Sequence, residues 1–401
     1  MAARVKANIN PALITWARES AGYSIAEAAA KIGVKPEQLT EWENPKSDET
    51  PSIPQLRKIS DTTKRPLAVF YLGKVPKDFQ LIRDLRRLPG VGMRKFSPEL
   101  QYEIRLANER RQLALEMTED LEEKPKKFSL SAKISDDPEK VGERIRKALG
   151  VDDAIQVNWR DKDGRTAFNG WRNRIESLGA LIFQAVRLGE DEASGIAIVS
   201  DVLPIIVVNR KDALTRRTFS LLHELAHIMI HVSGVSDLHT DEKRPAEDQK
   251  IEVFCNQVAA AALIPKDSLL AEQRVIAQGV HSTKWSDDDI RELALRFNVS
   301  REAVLRRLLT FDRTTSEFYR QKRQQYIAEY QAQRVRQKKE QAEKEMQRNM
   351  PQETMSNLGP FLVGIVLGNY HQDKITLSDV AGYLRVKTKH IPKIEELSRA
   401  R

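Results

Sequence analysis

Apolar positions in the first 75 residues recur at helical spacing in short runs, each opened by a capping residue and closed by a turn former. Asn10-Pro11 sets an N-cap and an N1 proline ahead of Leu13, Ile14, Trp16 and Ala17, and Gly22 ends the run. Ser24-Ile-Ala-Glu27 is a capping box that opens a second helix through Ala28, Ala29 and Ala30 to Gly33. Pro36 opens a third helix carrying Leu39 and Trp42. Ser52-Ile-Pro-Gln55 is another capping box, ahead of Leu56 and Ile59, and an apolar segment follows at 66–72. Short helices on this spacing, with a tight turn at Gly33, predict a helix-turn-helix.

Beyond residue 76 the pattern changes. The stretch LRRLPGVGMRKF reads as a loop, and a charged helix is expected from Ser97 to about Leu121, broken by EEKPKKFS. A helix over Asp136–Leu149 ends at Gly150. Three runs rich in β-branched residues, at 180–186, 195–199 and 203–208, predict neighbouring strands. Long helices are expected from about Asp212 to Val232 and Asp248 to Leu263, then a helix pair at 287–297 and 300–309. Residues 313–350 are polar and charged, a solvated helix or a linker rather than a core. Leu358–Leu367 is apolar but too short to span a bilayer, and Thr376 caps a last helix. The expected fold is α+β and mostly helical. Its parts are an all-α domain (1–75), a connector (76–129), an α/β domain with a small sheet (130–312), the charged segment (313–350) and a small C-terminal unit (351–401).

Composition narrows the setting. The 401-residue chain is 40% hydrophobic, enough for real cores, and 31% charged, with a net charge of +9. That balance suits an anionic partner without requiring one. The single cysteine, Cys255, excludes an intrachain disulfide framework and fits a reducing compartment. With no transmembrane run and no signal-peptide pattern, the expectation is a cytoplasmic protein with no membrane partner.

The string Phe219-Ser-Leu-Leu-His223-Glu224-Leu-Ala-His227-Ile-Met-Ile-His231 carries the chemistry. It contains H-E-x-x-H. On a helix, His223 and His227 lie on one face and aim two imidazoles at one point, with Glu224 close enough to reach a water there. Zinc accepts neutral imidazole nitrogen and, for catalysis, needs a third protein ligand and an open position. The surrounding Leu221, Leu222, Leu225, Ala226, Ile228, Met229 and Ile230 predict a buried helix. Burial of two histidines and a carboxylate costs several kcal/mol unless they are paired or bound to metal. The bland alternative is a structural helix whose histidines hydrogen-bond to backbone.

The third ligand should lie on a neighbouring element, and Glu252 is favoured. It sits on a helix whose run of alanines permits close packing, a loop and a return helix away from His227. Asn256, one turn on, is placed to hydrogen-bond a ligating histidine. Glu247, Asp248, His231 and His239 compete. His231 is one turn past His227, too far along a straight helix to share a metal with His223, and reads as a cleft-lining or packing histidine, while His239 lies in a polar loop as a solvated residue or an auxiliary donor. Zn²⁺ suits such a site, with Mn²⁺ or another divalent ion as alternatives. Glu224 then acts as general base. His231, His239 and Arg217 are the candidates to stabilise an oxyanion, and the strands at 195–199 and 203–208 are candidate edges for an extended peptide. Cys255, beside Glu252, reads as a small buried hydrophobe.

From about Leu178 to Pro265 the chain resembles the ImmA/IrrE family of bacterial and phage metallopeptidases. The matching features are LGALIFQ, GIAIVSD, PIIVVN, RRTFSLLHELAHIMIH, and Glu252-x-x-x-Asn256 followed by AAAALIP. The resemblance implies a zincin-like fold, a metal held by His223, His227 and Glu252, and Glu224 as base. It also implies cleavage of a helix-turn-helix repressor or antitoxin-like protein in a phage, mobile-element or stress-response setting. Ala226 stands where the family usually has glycine.

The first domain resembles the XRE-type helix-turn-helix often fused to such peptidases. In that role the helix from Pro36 enters a major groove of double-stranded DNA, with Lys35, Gln38 and Thr40 at bases or phosphates. Glu37, Glu41 and Glu43 on the same helix oppose phosphate, so docking to a protein is the competing reading. A second function class follows: a DNA-binding transcription regulator whose peptidase-like domain senses a ligand or partner without proteolysis.

Overall fold

The computed structural model describes residues 6–76, 83–84, 96–122, 124–161, 163–189, 192–236, 245–343 and 349–399. The chain divides into two compact units, one of Met1–Leu81, Gly92–Glu109 and Arg187–Gly189, the other of Ile82–Val91, Arg110–Val186 and Glu190–Arg401.

The first unit holds α1 (Pro11–Ser20), α2 (Ile25–Ile32), α3 (Pro36–Glu43), α4 (Ile53–Thr63) and a 3-10 turn over Leu67–Tyr71. The capping boxes at Ser24 and Ser52 form as the sequence predicts. Gly33 takes φ 80 at the end of α2, a left-handed position that lets the chain turn tightly into α3. Leu13, Ile14, Ala29, Ile32, Leu39, Trp42, Leu56, Ile59 and Phe70 fill one core. The Arg18 guanidinium donates to Glu43 at 2.7 Å and 2.9 Å and to the Tyr23 carbonyl, which ties α1 to α3. Helix α5 (Pro98–Asp120) contributes its residues through Glu109 to this unit and the rest to the other.

The second unit is built on a five-stranded sheet in the order β1-β5-β3-β4-β2, with β1 (Arg83–Asp84), β2 (Leu181–Ala185), β3 (Gly195–Ile198), β4 (Ile205–Asn209) and β5 (Gly234–Ser236). β2 runs parallel to β4, whereas β3 is antiparallel to both β4 and β5. The three predicted strands are present, and β1 and β5 are additions. The candidate substrate edges are corrected: β3 and β4 are each paired on both sides and offer no free edge.

The helices of this unit are α6 (Pro138–Leu149), α7 (Asp153–Asn158), α8 (Arg165–Ser177), α9 (Leu214–Met229), α10 (Ala246–Leu263), α11 (Lys266–Leu270), α12 (Gln273–Gln278), α13 (Asp287–Phe297) and α14 (Arg301–Thr310). They are followed by α15 (Ser316–Glu343), α16 (Met350–Leu358), α17 (Pro360–His371), α18 (Leu377–Leu384) and α19 (Ile391–Arg399). Helix α9 packs on β3, β4 and α8, and α10 packs on α9 and α6. Gly142 of α6 lies so close to Ala261 and Ala262 of α10 that a Cβ there would meet them at 2.7–2.8 Å. The alanine run of α10 is thus a close-packing surface, as its small side chains predict. Gln156 and Asn298 lock α13 to the same layer through the carbonyls of Leu263, Phe297 and Gln156.

Residues 316–343 form one helix, and its Tyr319 and Tyr326 are buried in the main core. Helix α16 packs on β2, where Gln184 Nε2 donates to the Ser356 carbonyl at 2.7 Å and to its hydroxyl at 2.8 Å. The buried Arg172–Glu176 pair adds bonds to the Ser356 carbonyl and from the Phe361 amide. No helix among the described residues is long and apolar enough to cross a membrane.

Candidate metal centre

His223, Glu224 and His227 come from the C-terminal half of α9, where Leu221, Leu222, Leu225, Ala226, Ile228 and Met229 are buried around them. Glu252 comes from α10, which crosses α9 closely enough to bring its carboxylate to the same point. The four side chains are at most 1% exposed. His223 Nε2 lies 3.0 Å from His227 Nε2, and Glu252 approaches them at 3.5 Å and 3.2 Å respectively.

These residues fit a divalent cation. The ligand atoms of His223, His227 and Glu252 all lie within 4.8 Å of one another. Donors at roughly 2.0–2.1 Å on a zinc tetrahedron are spaced about 3.4 Å apart, close to the separations seen. Two imidazole nitrogens and a carboxylate turned toward one buried point are a donor set that a divalent cation satisfies. Ala226 is buried with 1% exposure and packs in the main core, so the methyl group is accommodated.

Glu224 faces β3. A Cβ on Gly195 would overlap its carboxylate, so this glycine makes the room the acid occupies. Burial pushes the Glu224 carboxyl up to about 8, with His223 and the Ser236 hydroxyl opposing the push and Glu252 adding to it. Burial would raise Glu252 as well, but His223 and His227 hold it well below the usual carboxylate range. A cation at the three donors favours both carboxylates as anions.

The other candidates fall elsewhere. Helix α9 ends at Met229, three residues short of the expected end, and His231 takes φ 57 in the turn beyond it. His231 is exposed there and does not pack in the core. The amides of His231 and Val232 bond back to Ile228 and His227, which closes the helix in the manner of a left-handed cap. His239 lies outside the described residues. Arg217 donates to the Asp212 carbonyl at 2.8 Å and to Gln184 Oε1 at 2.6 Å, so its guanidinium is committed to the sheet and not to an oxyanion. Asn256 is half-buried, and its Oδ1 has no hydrogen-bond partner among the described residues, so the expected bond to a ligating histidine is not formed there. Cys255 is fully buried in the core, and burial raises its thiol well above the ordinary value, as suits an inert packing residue. Sequence reasoning missed Gly195 and Ser236. Both reach the site through strand pairing that no local pattern announces.

Lys35, Gln38 and Thr40 are all exposed on or beside α3, as are Glu37 and Glu41. The Thr40 hydroxyl bonds back to the Pro36 carbonyl at 3.0 Å, and Lys35 is the N-cap residue rather than part of the helix.

Residues 184–309, which carry the whole donor set, match the peptidase family described as the IrrE N-terminal-like domain. The chain carries an IrrE N-terminal-like domain. Residues 14–70 match a helix-turn-helix family, so the IrrE-like domain is preceded by a helix-turn-helix domain of the XRE kind. The IrrE-like match runs from β2 through α14, and its buried His-His-Glu group is consistent with a metallopeptidase. No curated protein matches the chain.

Proposed function

We propose that this protein is a zinc-dependent endopeptidase that cleaves a helix-turn-helix repressor or antitoxin-like protein, in a phage, mobile-element or stress-response setting. The observation that carries the reading is the convergence of His223, His227 and Glu252 on one buried point with Glu224 beside it. His223, His227 and Glu252 hold the ion, with zinc favoured and manganese or another divalent ion as alternatives. A divalent ion in such a site acidifies water and polarises a carbonyl. Glu224 takes the proton of the attacking water and returns it to the leaving amine. The apolar wall of α9 excludes bulk solvent and strengthens each of these interactions. The test is incubation of the purified chain and zinc with the repressor encoded by a neighbouring gene, beside Glu224→Gln. Cleavage by wild type alone supports the reading, and identical outcomes for the two proteins remove it.

The helix-turn-helix domain favours a second reading, a DNA-binding regulator whose IrrE-like domain senses a ligand or partner without proteolysis. Lys35, Gln38 and Thr40 are the residues that would meet DNA, while Glu37 and Glu41 on the same exposed face suit a protein partner better. Upstream DNA bound equally by wild type and Glu224→Gln, with no hydrolysis by either, separates this reading from the first. The two activities are compatible in one chain.

A further inference from the structure

The site contains a polar side chain that neither H-E-x-x-H nor the helix carrying Glu252 supplies. Ser236 is the last residue of β5, and it is fully buried. It pairs across the ladder with Gly195 of β3, and the Ser194 amide donates to its carbonyl at 3.0 Å. Cross-strand partners present their side chains on the same face of a sheet. On that face Gly195 yields space to Glu224, and Ser236 extends its hydroxyl to His227.

Where the hydroxyl meets the imidazole is the informative point. Ser236 Oγ lies 3.3 Å from His227 Nε2. A group that merely orients a ligating histidine bonds the ring nitrogen turned away from the metal. Ser236 instead meets the nitrogen that also faces His223 and Glu252. Its 3.3 Å separation from that nitrogen is comparable to the 3.0 Å between the two imidazole nitrogens and the 3.2 Å and 3.5 Å from them to the two Glu252 oxygens. A hydroxyl at that distance from a ligating nitrogen stands where a neighbouring donor of one coordination shell would stand.

We propose that Ser236 is the fourth donor of this shell, so that the resting site is closed by a side chain instead of open to solvent. The inference rests on the peptidase reading and adds its regulation. A neutral hydroxyl is a weak donor beside two imidazoles and a carboxylate, so water or a substrate carbonyl displaces it. A rotation about one side-chain bond withdraws Oγ while the backbone of β5 stays paired with β3, so opening the site requires no unfolding.

The test uses the full chain loaded with Co²⁺ and reads spectra, not hydrolysis. Ser236→Cys retains the size and places sulfur where the hydroxyl oxygen stands. A metal-bound thiol is deprotonated, so the variant gains a sulfur-to-cobalt charge-transfer band that wild type, which already contains Cys255, lacks. The band disappears again in Ser236→Cys combined with His223→Ala. A Ser236→Cys protein with the wild-type thermal transition and one equivalent of Co²⁺ but no band overturns the assignment and leaves the peptidase reading standing. Should cysteine prevent folding, Ser236→Ala decides the matter. The proposal predicts an altered cobalt spectrum and several-fold weaker binding against a competing chelator, and an unchanged spectrum and affinity overturn it. Cobalt uptake equal in wild type and His223→Ala overturns this inference and the peptidase reading together.

Discussion

Glu224 of α9 and Gly195 of β3 meet where helix packs on sheet. A Cβ on Gly195 would overlap the Glu224 carboxylate, so Gly195→Ala displaces the proposed general base without touching a proposed metal ligand. Peptidase activity is expected to fall at least about tenfold with metal content unchanged, read by cleavage rate and atomic absorption. Glu224→Gln removes proton transfer itself, and a loss of about 10²–10⁴-fold in rate is expected, again with metal retained. His223→Ala should lose the metal outright. At this scale the helix period alone exposed His223, Glu224 and His227, because i and i+4 share a face whatever surrounds them. His231 breaks the same rule. The chain leaves the helix after Met229, and a left-handed residue turns the imidazole out to solvent.

Single contacts between elements decide where Glu252 arrives. Helix α10 is seated against α6 through Gly142, which abuts Ala261 and Ala262. Gly142→Val overpacks this crossing and should cost about 1–3 kcal/mol, visible as a lower thermal midpoint. Because α10 carries Glu252, the same variant should bind zinc more weakly in a chelator competition. Ser24 offers a contrast in which local chemistry suffices. Its hydroxyl accepts from the Glu27 amide at 3.3 Å while the Glu27 carboxylate accepts from the Ser24 amide at 2.8 Å. Ser24→Ala should therefore destabilise the helix-turn-helix unit by about 1 kcal/mol, measured by denaturant unfolding. The capping boxes at Ser24, Ser52 and Thr376 were all legible in sequence because a cap spans four residues. β5 was not legible, since three residues hold too little of an alternating pattern to distinguish a strand from a loop.

For the whole chain, a metal held at this site would be a folding ligand as well as a reagent. Two imidazoles and two carboxylates are buried to 1% exposure or less, and without a cation their burial is compensated only by one another. Chelation should lower the thermal midpoint of wild type, with stabilisation near 2.7 kcal/mol when zinc is at 100 times its Kd. His223→Ala should show no response to the same chelator. The net charge of +9 says less than it promises about DNA. The exposed face of α3 carries Glu37 and Glu41 beside Lys35, so the excess of positive charge is not concentrated on the helix that would read bases.

By itself the sequence determined the helix-turn-helix, the three central strands, the helix carrying His223, Glu224 and His227, and the Glu252 carboxylate that meets it. Those features rest on caps, periodicity and i to i+4 spacing, which are set within a few residues. Only the tertiary structure decided that β3 and β4 lie inside the sheet, that Gly195 gives way to Glu224, and that Ser236 reaches His227. Strand order and register depend on pairing between distant segments, and the energy of that pairing is absent from any short stretch of chain.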